Sequence, residues 1–465
     1  MILVVIKEFL KYNVIVLISK KTSMPTTLHV KKTKISLVDY PYAKDIENRL
    51  LMADFSVFDV LLLEEILDGS LNANISDIAE SLEATKEDTL TCLEKLSKTG
   101  LLKINGPKIQ IDKDMRKYFE AQISKFEPNF SAGIDYIKGL LKKVPIDVLP
   151  SWYQLPRTSD DIFESIIEKF LLTPKIFFRH LEDIAIEIPL FTSIWQDLLQ
   201  ANDFTICAKD LCTKYNLTRQ YFEELMLLLE FNFACCITYK KDNDKWVEVV
   251  SPFAEWKRYL NYLSQTKIQK SLDDKQIEKS KQKTFINELS TLLKQVKVKP
   301  VSVNAIEKPM TERLIQLRLV ETKGSFLHPL DVIDSFLSMN EDQKSHLLHR
   351  TSILTNEETS PFYIEKHLRE IEKNLSNFTR TGWIYFDDFI KACTACIGSQ
   401  QEISLKKVGR QWEYYLPKYN QEEVAFIREL IFERLSEAGT VEVGFFNDRH
   451  CFRVTDFGHK ILSRD

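Results

Sequence analysis

Along this chain, apolar residues at helical spacing give way to two brief runs with strand-like alternation, and this succession occurs four times. In the first copy Leu90, Leu93 and Leu96 form one helical stripe behind Thr85, whose hydroxyl suits an N-cap. Gly100 supplies the left-handed position that closes such a helix. Residues 101–104 and 108–111 read as strands about Asn105-Gly106-Pro107, and Asn-Gly is a favoured pair for a tight hairpin. A helix through 115–119 follows.

In the second copy Phe222, Leu225, Met226 and Leu229 share one face of a helix capped by Thr218. Strands 234–239 and 246–250 turn at Lys241-Asp242-Asn243-Asp244, and Ser251-Pro252 opens a helix over 253–263. The third copy has Thr311 as the expected cap and Leu314, Ile315 and Leu317 as the stripe. Strands 319–322 and 325–328 follow about Lys323-Gly324, and Pro329 opens a helix reaching Phe336 and Leu337. In the fourth, a helix over 421–437 turns Val424, Ile427, Leu430, Ile431 and Leu435 inward and ends at Gly439. Strands 440–446 and 450–454 pair across Asn447-Asp448, and Thr455 caps a last helix.

Upstream helices complete the units, at 57–67 and 76–82 in the first copy, 194–199 and 208–215 in the second, and 285–293 and 303–307 in the third. The turns Glu83-Ala84 and Asn216-Leu217 stand just before the capping threonines. Two helices joined by a short turn make a helix-turn-helix, and a following hairpin makes it a winged helix. The expected fold is mainly α with short β-hairpins: tandem winged-helix domains joined by helical connectors. The domains are expected at residues 51–120, 191–263, 284–340 and 383–465. Connectors fill 121–190, patterned at 134–149 and 162–188 with Phe163, Phe170, Phe177 and Phe178, and 341–382, with Ile364, Leu368, Ile371 and Leu375 at helical spacing. A Lys-rich linker spans 264–283, inside a stretch (262–299) expected to be exposed.

Composition narrows the function classes. The 465 residues are 44% apolar and 28% charged, the profile of a globular chain of about three domains. Lys+Arg is 63 and Asp+Glu 67, a net charge of −4, which excludes a strongly basic nucleic-acid coat but not local patches. Glycine is 12, where a usage of about 7% would give roughly 33. Folds that hold phosphates or dinucleotides rely on Gly-rich turns, so no cofactor and no enzymatic activity are expected. Cys92, Cys207, Cys212, Cys235, Cys236, Cys393, Cys396 and Cys451 sit mostly in apolar patterns, as reduced thiols of a cytoplasmic protein would.

Residues 1–50 are read as an N-terminal extension. Two short apolar runs, 1–6 and 14–18, are interrupted by Lys7, Glu8 and Lys11, and neither approaches the ~20 residues of a membrane span. Met24 opens a polar stretch that reads like a start. Residues 1–23 are therefore expected to be a mis-set translation start or a frayed extension, with a weak membrane anchor as the minor alternative.

The C-terminal stretch resembles accessory winged-helix regions found with XPB-type helicases. The likeness lies in Gly382-Trp383-Ile384-Tyr385-Phe386-Asp387-Asp388-Phe389, in Gln411-Trp412-Glu413-Tyr414-Tyr415, and in Cys451-Phe452-Arg453-Val454-Thr455-Asp456-Phe457-Gly458. It covers roughly the last eighty residues. The family's motor is missing: no GxxxxGK[ST] loop occurs, so the resemblance implies an accessory or binding role and no ATPase. A looser likeness, of architecture alone, is to tandem winged-helix subunits of RNA polymerase machinery.

Candidate chemistry is sparse. Cys393 and Cys396 make a lone C-x-x-C in an apolar helical pattern, where structural zinc needs four ligands; core packing accounts for them better. His346 and His349 have helical spacing without the acid of an H-E-x-x-H site, and read as an exposed face. Asp160-Asp161 and Asp387-Asp388 stand at helix starts, where the dipole favours acids.

Nucleic-acid binding is the serious candidate, since a helix-turn-helix can set its second helix in the major groove. Yet Lys86-Glu87-Asp88, Arg219 with Glu223 and Glu224, and Glu422-Glu423 open these helices with acidic or mixed charge. Basic character lies elsewhere, at Lys267, Lys270, Lys279, Lys281 and Lys283 in the linker and at Lys406, Lys407 and Arg410 near Trp412. Cations interleaved with aromatics can grip a strand backbone and stack bases. The alternative is that the aromatics Trp412, Tyr414, Tyr415 and Tyr419 are core and the lysines a solvated edge.

The expectation is a non-enzymatic adaptor in DNA transactions or transcription. It combines a protein partner with weak, salt-sensitive DNA contact, and has no membrane and no small-molecule substrate. A pure protein–protein scaffold without nucleic-acid binding is the alternative.

Overall fold

In the computed structural model, which describes residues 33–128, 130–156, 161–268, 272–279, 284–351, 365–409 and 411–463, the chain divides into two compact units. The first runs to Tyr262 and also takes in Ser404–Tyr414; the second holds Leu263–Ile403 and Tyr415–Asp465. The fold is mainly helical with small antiparallel sheets. Two of the expected repeats fall in each unit, and the segments expected as spacers contribute buried residues to them.

Unit one begins with α1 (Tyr42–Met52), which buries Ile46, Asn48, Arg49 and Met52, so residues 42–52 are no loose extension. Residues 1–23 lie outside the described residues. The first repeat follows as α2 (Val57–Asp68), β1 (Asn72–Asn74), α3 (Ile75–Ser81), α4 (Lys86–Ser97), β2 (Leu102–Asn105), β3 (Lys108–Ile111) and α5 (Lys113–Ile123). Thr85 caps α4 by accepting the Asp88 N–H at 3.1 Å, and Gly100 takes φ +83° beyond its end. The short β1 pairs with β3, giving sheet order β1-β3-β2. Leu62, Leu63, Leu93, Leu96 and Ile109 fill the core beneath it.

The span between repeats forms α6 (Ile134–Leu141), α7 (Ile162–Phe170) and α8 (Pro174–Glu187), not two long rods. Thr173 caps α8 and Pro174 takes its first position, which breaks the expected 162–188 helix in two. Ile137, Phe170, Phe177 and Leu181 are buried, so this segment is core.

The second repeat is α9 (Pro189–Gln200), β4 (Ile206–Cys207), α10 (Ala208–Tyr215), α11 (Arg219–Phe231), β5 (Cys235–Asp242), β6 (Lys245–Pro252) and α12 (Ala254–Gln265). Its sheet order is β4-β6-β5. Thr218 caps α11 through the Tyr221 N–H.

Unit two opens with β7 (Glu278–Lys279) and α13 (Thr284–Val298). Helix α13 buries Leu289, Leu293 and Val296, which corrects the reading of 262–299 as exposed linker. The third repeat continues with β8 (Val301–Ser302), one 3-10 turn (Val303–Ala305), α14 (Lys308–Gln316), β9 (Val320–Lys323), β10 (Phe326–Pro329), α15 (Ile333–Ser338) and α16 (Glu341–Thr351). Its order is β8-β10-β9. Glu307, not Thr311, is the N-cap of α14; Thr311 lies inside the helix.

The fourth repeat starts earlier than residue 383, because α17 (Glu365–Ser376) is its first helix and buries Leu368, Ile371 and Leu375 in the same core. Next come β11 (Ile384–Tyr385) and α18 (Phe386–Ala392). The hairpin β12 (Leu405–Val408) and β13 (Gln411–Tyr414) then belongs to unit one, not to this repeat. Helix α19 (Gln421–Glu429) continues through a π-helical stretch, Leu430–Leu435. The hairpin β14 (Val441–Phe446) and β15 (Arg449–Val454) and the last helix α20 (Asp456–Leu462) complete the repeat. Thr455 caps α20 by accepting the Gly458 N–H at 2.9 Å. The sheet order is β11-β15-β14-β7, the other repeats' pattern plus one strand on the β14 edge. No helix among the described residues is long and apolar enough to cross a membrane.

Candidate interaction surfaces

The third helix of each repeat is where a groove-reading surface would lie. On α4 the exposed side chains are Lys86, Glu87, Asp88, Leu90, Thr91 and Glu94, with acid in excess. On α19 they are Gln421, Glu422 and Ala425, and Glu433 is exposed on the π-helical stretch. On α14, Lys308 pairs with Glu312, Ile315 is exposed, and Arg313 is buried against Glu437 at 3.0 Å.

Helix α11 is closed off along most of its length, with Gln220 and Tyr221 exposed in its first turn. Glu223 and Glu230, which the sequence offers as polar positions on an acidic helix, are fully buried. Arg49 of α1 donates from Nε to Glu223 at 2.9 Å and from Nη1 and Nη2 to Glu230 at 3.0 and 3.2 Å. Glu230 also accepts from the Ile237 N–H at 3.1 Å and the Tyr136 hydroxyl at 3.2 Å. Burial alone would push the Glu230 carboxyl up, but Arg49 and Lys125 hold it below the usual carboxylate range. Arg219, at the start of α11, turns back to Glu223 at 2.6 Å and to Glu248 on β6. Burial, reinforced by the neighbouring Glu223, pushes the Glu248 carboxyl up to about 8. This network locks α1 over α11.

Of the expected basic residues, Lys270, Lys281, Lys283 and Arg410 lie outside the described residues. Lys267 is partly exposed in unit two, and Lys279 sits on β7 with its backbone paired to Gly444. Lys406, Lys407 and Trp412 are in unit one on the β12–β13 hairpin, where Lys406 faces Glu413 and Lys407 faces Trp412 across the strands. That hairpin is docked by its base. Leu405 donates its N–H to Leu172 at 2.7 Å, the Tyr414 hydroxyl donates to the Leu171 carbonyl at 2.8 Å, and Arg258 donates to the Trp412 carbonyl at 2.9 Å. Tyr414 packs edge-on to Trp256, with centroids 6.0 Å apart. Tyr415 and Tyr419 are tied to Gln400 and the Ala395 carbonyl, so three of the four aromatics serve packing.

Two further expectations change. His349 is not on an exposed face: it is buried, with Nε2 2.9 Å from Glu372 of α17. Cys393 and Cys396 follow α18 in irregular backbone and are not on a helix, and burial pushes both thiols up. Among the described residues no cluster of three or more His, Cys, Asp or Glu side chains could hold a metal ion.

Sequence reasoning missed the outer face of the fourth sheet. Segment 272–279, expected as free linker, lies on it. Ile277 is buried with Trp383 and Cys451, and Leu272, Tyr385 and Phe446 pack around them. Trp383 donates its indole N–H to Asp274 at 2.7 Å, and Arg453 reaches the same oxygen at 3.3 Å. The sign in the sequence was Gly444, a glycine in the middle of a strand, which often marks close backbone approach.

Searches of family models, of curated proteins and of solved structures each found no match to this chain.

Proposed function

We propose that the chain is a non-enzymatic protein-docking scaffold built from four tandem winged-helix modules, and that it does not read DNA through their third helices. The module assignment is supported by the common order of each repeat: helix, short strand, helical turn or helix, helix and hairpin, with the short strand paired to the returning strand. The observation that carries the scaffold reading is the burial of α11, whose Glu223 and Glu230 are held by Arg49. With that face of α11 buried, the exposed side chains of its first turn, Gln220 and Tyr221, carry no cation for phosphate, and the acidic exposed faces of α4 and α19 repel it. The accessory role implied by the C-terminal likeness fits this reading, because a module without a nucleotide site works by binding.

A second reading, weak nucleic-acid contact by an adaptor, is favoured by one observation. Lys407 is exposed and stands across the strand pair from Trp412. Fluorescence anisotropy with duplex and single-stranded DNA between 50 and 200 mM salt, on the order of the range over which phosphate contacts are lost, separates the two. The scaffold reading expects no saturable binding at the low end. Saturable binding that falls steeply with salt overturns it.

A further inference from the structure

The outer face of a small three-stranded sheet, away from its helices, is ordinarily open to water. In the fourth repeat it carries a shaped groove. Trp383 forms one wall and is almost wholly buried, Cys451 forms the floor, and Arg453 stands at the rim with its guanidinium 5.3 Å from the Trp383 ring centroid. Gly444 completes it. A Cβ there would come within 2.6 Å of Ile277 Cγ2 and 2.9 Å of the Glu278 carbonyl, so only glycine admits a segment at this depth.

The segment in the groove makes the following contacts. Leu272 bridges to Trp383, Asp274 accepts from Trp383 and Arg453, Ile277 fills the apolar pocket, and Glu278 and Lys279 pair with Phe445 and Gly444. Each has a distinct recognition role. The acid answers the indole N–H and the arginine, the aliphatic residue three positions on answers the pocket, and the two-residue ladder aligns the backbone along the β14 edge. This is peptide recognition by strand addition, in which main-chain bonds give affinity and side-chain pockets give specificity.

We propose that the Trp383–Gly444–Arg453 groove is a docking site for a peptide with Asp opening a 3-10 turn, as Asp274–Gln276 forms, Ile three residues after that Asp, and a two-residue strand following, and that Leu272–Lys279 fills it in cis as a competitor. The inference deepens the scaffold reading by naming the partner's chemistry, and it rests on that reading only in taking a protein ligand. A partner segment with the same spacing gains the site by displacing a two-residue strand. The effective concentration of the tethered segment is high, so partner binding to the resting chain is weak.

The test uses the full chain and a fluorescein-labelled peptide with the sequence of residues 272–279, read by anisotropy. The resting protein is expected to bind it weakly. Ile277→Asp, which ejects the internal segment, is expected to bind it at least tenfold more tightly. Adding Gly444→Val to that variant is expected to abolish the gain, and a peptide with Asp in place of its Ile to bind neither. Asp274→Ala, a milder change at a half-exposed side chain, is expected to give a smaller gain. Equal affinity of wild type and Ile277→Asp overturns the proposal. Unfolding of Ile277→Asp overturns it as well, because a segment whose loss unfolds the module is a structural strand and no displaceable ligand. DNA binding is measured separately, so failure of the groove and failure of the scaffold reading are distinct results.

Discussion

Removing the Arg49 side chain should unfold unit one more readily than any surface change. Arg49 makes three hydrogen bonds to two carboxylates that water does not reach, and its own side chain is 3% exposed. In Arg49→Ala, Glu223 and Glu230 stay buried and lose their main counter-charge. Lys125, 3.9 Å from Glu230, is a poor substitute, because its own burial disfavours the charged form. Breaking a buried pair by deleting one partner costs about 3–5 kcal/mol. At roughly 2–4 °C per kcal/mol for a domain of this size, the melting midpoint should fall by about 6–20 °C. Near-UV circular dichroism reads this, since Trp152, Trp195, Trp246 and Trp256 all lie in unit one. Lys214→Ala, which deletes an exposed pair with Asp197 in the same unit, should leave the midpoint where it was. The double variant with Glu230→Gln should lose less than the sum of the two single losses. A midpoint for Arg49→Ala within experimental error of wild type would refute the reasoning. It would mean that α1 does not hold α11 closed.

Three other outcomes are expected. Glu248 keeps a proton when folded that the unfolded chain releases above about 4.5, so this contribution to stability is complete at acid pH and is lost as pH rises through about 8; urea unfolding at pH 5, 7 and 9 should show a decline that Glu248→Gln flattens, and parallel curves would count against it. Gly458→Ala sets a Cβ 2.0 Å from the Thr440 carbonyl, a backbone clash that should cost roughly 3 kcal/mol in unit two, and an unchanged unfolding midpoint would contradict it. Charge reversal of Lys406 and Lys407 together should leave nucleic-acid anisotropy unchanged; loss of a salt-sensitive signal would establish the adaptor reading instead.

The third helices and hairpins were legible because their signals are local. Thr85, Thr218 and Thr455 cap where the sequence puts them, and Gly100 and Gly439 take the left-handed conformations that end their helices. The first strand of each sheet was not legible, since two or three residues carry no period. The candidate surface suffered from a deeper ambiguity. Glu223 and Glu230 look alike to a pattern whether they face water or an arginine 174 and 181 residues away. Nor could periodicity reveal that Leu405 and Tyr414 leave their chain neighbours to close a core built from residues near 171 and 256.

That hairpin decides how the protein can be cut. A fragment ending at residue 262 would lack Leu405 and Tyr414, leaving Trp256, Phe177 and Phe253 with an open side and the buried carboxyl of Glu255 nearer to water. A fragment starting at 263 would carry the same ten or so residues with nothing to rest on. Gene truncations that respect linear order should therefore yield sticky, poorly soluble pieces. Dissection is better done by point changes in the intact chain, or by replacing 404–414 with a short polar turn and supplying the hairpin to the N-terminal piece through a new linker.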